Sequence, residues 1–309
     1  MKLLIIGAGS IGAYFGGRAA QGGAEVEVVA HSGFEKISQE GFIVSSIAGD
    51  FVFHPSRVLH SPAEASGDID IVILATKVLP DIDRVKLLAD AAALPGKPAI
   101  MLMQNGVGIE DEIAAAFPGN ELFSTIAYIG ASRSAVNRID HQGAGRLITG
   151  KWGGGDSAKL HELSGIFQKA GVSCEISGNI ELERWRKLLW NLPFNPVSVL
   201  GGGLDSGELC DRGSIENLCS TLMDEVIAVA NASGVALTRE MADEQIAYTR
   251  DFPPYKTSML QDYEAGRALE VDALLGNVLK IAGNCSVPVP AIAVCAALLN
   301  SVDRKNRRK

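Results

Sequence analysis

Apolar and polar positions change rhythm about three fifths of the way along the chain. Residues 3–6 read Leu-Leu-Ile-Ile, a continuous apolar run bounded by glycine, which predicts a strand buried on both faces. A helix is predicted over 13–20, where Gly16 and Gly17 permit close packing, and a second strand over 26–29. Similar runs predict strands over 70–75, 99–103, 122–129, 145–149 and 172–175, with a helix over 159–170. Ser132-Arg133-Ser134 and Gly153-Gly154-Gly155 read as turns. From about Ile180 the strand signals stop. Apolar residues then recur at helical spacing, as in Leu218, Leu222, Val226 and Val229. Helices are predicted over 180–200, 208–233, 239–249, 258–265, 269–282 and 291–302, with Asp251-Phe252-Pro253-Pro254 breaking the series.

The junction after the first strand carries the first chemistry. Gly7-Ala8-Gly9-Ser10-Ile11-Gly12 follows it and opens the helix, so strand, G-x-G-x-x-G, helix and strand lie in one unit. Gly7 allows the tight turn, Gly9 lets the backbone approach a pyrophosphate, and Gly12 lets helix and strand pack closely. The helix N-terminus offers N–H groups to the phosphates, so Gly7, Gly9, Ser10, Ile11 and Gly12 form the expected dinucleotide cradle. The fold class is therefore α/β: a Rossmann-type doubly wound domain, residues 1–177, followed by an all-helical C-terminal domain, residues 178–309. The cleft between two such domains is the default place for a substrate.

The second strand ends Val29-Ala30-His31-Ser32. An NAD site usually has an acid there for the ribose 2′-OH, and its absence leans towards NADP, with NAD left open. No arginine stands nearby in sequence to grip a 2′-phosphate, so His31 and Ser32 are the candidates. Thr76-Lys77 and Gln104-Asn105-Gly106 follow two further strands. Ligands bind at such carboxyl ends, which marks Lys77 and Asn105; a solvated lysine and a plain Asn-Gly turn are the bland alternatives.

Composition narrows the class. The 309 residues are 47% hydrophobic and 21% charged, ordinary for a globular protein of about two domains. Lys and Arg number 28 against 36 Asp and Glu, a net charge of −8, which excludes a nucleic-acid binder with a broad basic face. Five cysteines without a C-x-x-C pair predict reduced thiols and no zinc site. No apolar run has the length of a membrane span and the opening lacks a signal-peptide pattern, so a cytoplasmic protein is expected. The basic tail 304–309 reads as a solvated, frayed end.

Three stretches resemble one family. They are the opening Gly-Ala-Gly-Ser-Ile-Gly, the run Trp185-Arg186-Lys187-Leu188-Leu189-Trp190-Asn191 with Asn195-Pro196, and Ser258-Met259-Leu260-Gln261-Asp262 with Glu270-Val271-Asp272. Together with Thr76-Lys77 and Gln104-Asn105-Gly106, they resemble 2-dehydropantoate 2-reductase, or ketopantoate reductase, over nearly the whole chain. The resemblance implies NADPH-dependent reduction of ketopantoate to pantoate, in the pantothenate and coenzyme A pathway. It implies Lys187 as general acid and Glu270 as the substrate-orienting carboxylate. It also implies Asn105, Asn191, Asn195 and Ser258 as pocket groups, and Lys77 as a cofactor-side lysine. A ketone becoming an alkoxide needs a proton and a positive field, which an ammonium supplies. Lys187, Asn191 and Asn195, spaced by four, share one helix face.

Competing readings stand beside these. Lys187 could belong to a solvated basic edge, Ser258 with Gln261 could be a capping box, and Glu270 could pair with Arg267. Trp185 and Trp190 read as core or interface. The chain also departs from the family pattern. His31 stands where the family has Arg. Pro193 lies inside the helix of Lys187 and predicts a kink. Asp205 and Ser206 replace an expected pocket asparagine, and an aspartate there would repel a substrate carboxylate. Gly201-Gly202-Gly203 replaces bulkier residues. These departures keep two alternatives open: a relative acting on another small 2-oxo or 2-hydroxy acid, and a non-catalytic dinucleotide-binding sensor. The expected partner is a small 2-oxoacid, with a homodimer possible, and with no nucleic acid, membrane or metal.

Overall fold

The computed structural model describes residues 1–307 and divides into two units. The first comprises Met1–Lys77, Asp83–Gln104 and Glu110–Ile180. In chain order it contains β1 (Lys2–Ile6), α1 (Ser10–Gln21), β2 (Glu25–Val29), α2 (Phe34–Glu40), β3 (Phe42–Ser46), β4 (Phe51–Phe53), β5 (Arg57–Leu59) and β6 (Ile71–Leu74). There follow α3 (Arg84–Ala92), β7 (Ala99–Leu102), α4 (Asp111–Ala116), β8 (Leu122–Ala135), β9 (Arg138–Lys151), α5 (Ala158–Lys169) and β10 (Cys174–Ile176). The ten strands form one sheet in the order β4-β3-β9-β8-β7-β6-β1-β2-β5, with β10 beside β9. From β8 to β5 the pairings are parallel. The apolar runs β6 and β7 lie in its middle, every residue buried, as strands covered on both faces must be.

The structure corrects the reading of 132–134 as a turn. β8 runs on to Ala135 and pairs antiparallel with β9, and the reversal comes at Val136 and Asn137. The outer half of this ribbon is only partly buried, so it carries no apolar run for the sequence to show. Gly153-Gly154-Gly155 does form a turn beyond β9. His141 of β9 is buried, and burial holds its imidazole below the ordinary pKa. Its Nδ1 lies 2.8 Å from the Ser46 hydroxyl.

The second unit comprises Val78–Ile82, Asn105–Ile109 and the chain from Glu181 onward. Its helices are α6 (Ile180–Leu200), α7 (Ser214–Ala232), α8 (Arg239–Asp251), α9 (Ser258–Glu264), α10 (Asn277–Cys285) and α11 (Pro290–Asn306). Leu188, Leu189, Leu192 and Phe194 of α6 pack with Leu222, Met223, Val226 and Val229 of α7 in one apolar core. α6 runs unbroken through Pro193 and Pro196. The helix expected over 208–233 is interrupted. A single 3-10 turn spans Glu208–Cys210, Arg212 adopts a left-handed φ of 63°, and α7 starts only after Gly213. The helix expected over 269–282 opens with a wide π turn, Asp272–Gly276, and then continues as α10. The tail is not frayed as far as Asn306, because α11 holds it; Arg307 pairs with Asp303 at 2.8 Å. Arg308 and Lys309 lie outside the described residues. No described helix is long and apolar enough to cross a membrane.

The segment Asn105–Ile109 is seated by helical-unit side chains. The buried Arg184 guanidinium donates to the Gly106 carbonyl at 3.1 Å, and Asn277 Nδ2 donates to the Val107 carbonyl at 2.8 Å. Gly106 has a φ of 104°, and a Cβ on it would run into the Ala273 carbonyl oxygen. Gly106→Ala therefore combines left-handed strain with a backbone clash. It is expected to lower unfolding stability by about 2–4 kcal/mol, read from chemical denaturation.

Candidate active site

In the first unit, the glycine run forms a cradle at the carboxyl end of β1. Gly7 has a φ of 114°, and a Cβ there would meet the Thr76 backbone nitrogen at 2.7 Å. The turn is thus pressed against the end of β6. α1 begins at Ser10 with Gly9 as its N-cap, with no side-chain cap and no acid in its first turn. Its first internal hydrogen bond runs from Ala13 N–H to Gly9 C=O, so the helix gives Ser10, Ile11 and Gly12 N–H no carbonyl of their own. A Cβ on Gly9 would meet nothing within 4 Å, whereas one on Gly12 would strike the Gly7 carbonyl oxygen. Space over Gly9, N–H donors and a positive helix end fit a pyrophosphate. The order β6-β1-β2 places this turn where the chain changes direction across the sheet, the usual crevice for a dinucleotide.

The other strand ends join it. Gln104, buried after β7, donates from Nε2 to the Thr76 carbonyl at 2.8 Å and to the Thr76 hydroxyl at 3.1 Å. Lys77, half-buried, follows Thr76 directly. His31 is exposed just beyond β2. Arg133 of β8 reaches the same place, donating to Ser32 Oγ at 3.3 Å and to the Ala8 carbonyl at 3.5 Å.

In the second unit, Lys187 is not a solvated edge lysine. Its Nζ donates to Asn105 Oδ1 at 2.9 Å in a part-buried setting. Asn191 is 8% exposed, and among the described residues no hydrogen bond engages its side chain. Asn195 is buried, and its Oδ1 accepts from Met259 N–H at 3.3 Å and Ser258 Oγ at 3.4 Å. Its oxygen is thereby committed to the first turn of α9, and the amide nitrogen is the group left for a ligand. The capping-box reading of Ser258 is corrected. Thr257 is the N-cap, accepting from Leu260 N–H at 3.2 Å, and Gln261 donates to the Lys256 carbonyl instead. Ser258 is left exposed, its hydroxyl on Asn195. The Glu270–Arg267 pairing is also absent, for Arg267 pairs with Asp262 at 2.8 Å. Glu270 Oε1 accepts from the Val78 backbone N–H at 3.0 Å.

Asp205 also has a local structural role. Its Oδ1 accepts from Gly207 and Glu208 N–H at 2.9 and 3.0 Å, the work of a turn residue. Ser206 is buried and exchanges hydrogen bonds with the Tyr255 backbone. Trp185 is core. Trp190 stacks on Tyr255 with ring centres 5.9 Å apart and donates to Thr249 Oγ1 at 2.8 Å. Sequence reasoning passed over Arg184, Asn277 and Gln104. Each acts on backbone or side chains far away in sequence, and only the Gln-Asn-Gly context hinted at one of them. Among the described residues no cluster of three or more His, Cys, Asp or Glu has the arrangement of a metal site.

The family description "Ketopantoate reductase PanE/ApbA" matches residues 3–154, and its C-terminal counterpart matches residues 179–303. The 2-dehydropantoate 2-reductase of a Nostoc species is 30% identical over 99% of this chain and 96% of its own. The crystal structure of 2-dehydropantoate 2-reductase from Methylococcus capsulatus is 38% identical, covers 99% of this chain and 98% of its own, and superposes with a TM-score of 0.92. A D-mandelate dehydrogenase with NADH and anilino(oxo)acetate shares the fold, with a TM-score of 0.86 at 23% identity and 99% of both chains covered. Fold and relatives define the class as an oxidoreductase acting on a CH–OH group. Within that class, the chain belongs to the ketopantoate reductase PanE/ApbA family.

The cradle makes two glycines separable. Gly9 has a φ of −79°, which alanine adopts freely, so Gly9→Ala is expected to leave the unfolding midpoint unchanged. Its methyl group would occupy the phosphate space, and dinucleotide affinity should fall about tenfold or more, equivalent to about 1.4 kcal/mol. Gly12→Ala should instead lose about 1–3 kcal/mol of stability through overpacking. Thermal unfolding and a fluorescence titration with the dinucleotide check both.

Proposed function

We propose that the protein reduces 2-dehydropantoate (ketopantoate) to pantoate with NADPH, with Lys187 as general acid, in the supply of pantothenate and coenzyme A. One observation carries the reading. Lys187 Nζ is held 2.9 Å from Asn105 Oδ1, and one turn further along α6 the Asn191 amide has no protein partner among the described residues. A positioned ammonium beside an uncommitted amide suits a ketone flanked by a carboxylate. Relatives bearing the name of this reaction, at 30% and 38% identity over nearly full length, support it. In this reading residues 1–177 bind the nucleotide, through Gly7, Gly9, Ser10, Ile11, Gly12, His31 and Lys77. Residues 178–309 hold the substrate and move the proton.

When bound, the reduced nicotinamide supplies a hydride to the ketone carbon. Lys187 offsets the negative charge that grows on the ketone oxygen and delivers a proton to it, which completes the alcohol. The amine then regains its proton from water. Asn105 fixes the ammonium in place, since a hydrogen bond at 2.9 Å leaves the long side chain little freedom. Asn191 and the Asn195 amide nitrogen donate to the substrate carboxylate, with the Ser258 hydroxyl beside Asn195. Glu270 accepts from the substrate hydroxyl. It is oriented by the Val78 N–H at 3.0 Å rather than by a flexible surface arginine. Asp205 Oδ1 accepts from its own turn, and the carboxylate's charge keeps a different small 2-oxoacid as the second reading.

Oxidation of NADPH and NADH by the purified protein, with ketopantoate beside a panel of 2-oxoacids, tests the reading. Selective ketopantoate turnover is expected. Selective turnover of another acid overturns the substrate, and cofactor binding without any turnover leaves a sensor. Lys187→Ala should lower kcat/KM by about 10²–10⁴. Its NADPH dissociation constant, measured by titration, should stay at the wild-type value.

A further inference from the structure

We propose that Arg133 grips the 2′-phosphate of NADPH, supplying from β8 the cation that position 31 does not provide. The proposal rests on the nicotinamide-dinucleotide reading above and concerns only which dinucleotide is preferred, and through which residue. In a Rossmann-type domain the adenosine ribose lies at the end of the second strand, beside the glycine turn. Here that place is bounded by Ala8 of the turn and by Ser32 just beyond β2. Arg133 spans both: Nη2 donates to Ser32 Oγ at 3.3 Å and Nη1 to the Ala8 carbonyl at 3.5 Å, while Nε donates to the Ala135 carbonyl at 3.3 Å.

All three acceptors are neutral oxygens at the long end of hydrogen-bonding range, and among the described residues no carboxylate pairs with this guanidinium. Arg133 is half-buried, and desolvation disfavours its charge, as expected of a cation awaiting an anion. A planar fork of N–H donors matches a phosphate better than an imidazole or a lone hydroxyl does. Ser32 Oγ, already beside the fork, adds a second donor.

The ribbon that carries Arg133 is fixed at that spot. The β8–β9 register shifts between Arg133 and Ala135, the kind of bulge that re-aims a side chain. At the reversal, Val136 packs on Gly33, whose φ is 76° and where a Cβ would collide with the valine side chain. Asn137, fully buried, donates to the Gly41 carbonyl at 3.0 Å, and its own carbonyl accepts from Ile43 N–H at 2.8 Å. The tip is thus tied to both ends of α2, the helix that starts just after Ser32. Arg133 reaches its post pre-organised, so little of the binding energy is spent on ordering it.

The test is a set of dissociation constants for the full chain with NADPH, NADH, 2′,5′-ADP and 5′-AMP, by calorimetry or nucleotide fluorescence. The wild type is expected to prefer NADPH to NADH and 2′,5′-ADP to 5′-AMP. Arg133→Ala should weaken the two phosphorylated ligands by about ten- to a hundredfold, the range for a hydrogen bond to a charged group. The affinities for NADH and 5′-AMP should not change. Arg133→Lys, which keeps the charge and loses the fork, should fall between. It carries the test alone should the alanine variant not fold. A wild-type preference that survives both substitutions overturns the role of Arg133 and leaves NADPH use intact. Equal weakening of all four ligands shows a purely structural arginine and also overturns it. A wild type without NADPH preference overturns the choice of NADP, and ketopantoate turnover with NADH would still stand apart from that failure.

Discussion

Backbone groups that leave a sheet lose their strand partners and need others, and that requirement runs through the helical unit. Val78–Ile82 and Asn105–Ile109 continue from strands β6 and β7, yet both group with the helical unit. Three side chains meet their main-chain groups: Glu270 takes the Val78 N–H, while Arg184 and Asn277 give to the Gly106 and Val107 carbonyls. Leaving such a group unsatisfied costs about 1–3 kcal/mol. Glu270 is therefore tied to the architecture as well as to the chemistry proposed for it. Asn105, the residue before Gly106 and Val107, meets Lys187 at 2.9 Å.

The same economy recurs at the glycine turn. Gly7 yields to the backbone of Thr76, and Gly12 yields to Gly7 itself, while Gly9 yields to no protein atom at all. Two of the three glycines are explained by packing within the unit. The third leaves open space at the helix N-terminus, as a bound pyrophosphate would require. Gln104 binds the other strand ends to this turn through Thr76, so the crevice has walls of hydrogen-bonded backbone rather than mobile loops.

The parts legible in the sequence were those with local signals. The buried strands β1, β6 and β7 announce themselves as apolar runs, and α6 appears over its full range because helical spacing needs no tertiary knowledge. Strands β3, β4 and β5 escape because they are short and, towards the sheet edges, only partly buried. The long β8–β9 ribbon is half-missed for the same reason. Within the candidate site, the spacing of Lys187, Asn191 and Asn195 was readable, whereas their partners were not. Lys187 meets Asn105 from 82 positions away, and Arg133 meets Ser32 from 101. At Asp205 the sequence showed the charge but not the turn, since the N–H groups of Gly207 and Glu208 that its Oδ1 accepts from carry no sequence signal.

The path of the chain has a consequence for inheritance. The two units exchange backbone at five junctions, 77/78, 82/83, 104/105, 109/110 and 180/181. A gene encoding this arrangement cannot be split into two working halves by one crossover, because the strand-end segments would stay with the sheet while their partners Glu270, Arg184 and Asn277 left with the helices. The nucleotide fold cannot be traded alone for that of an unrelated protein, as independently folded cassettes can.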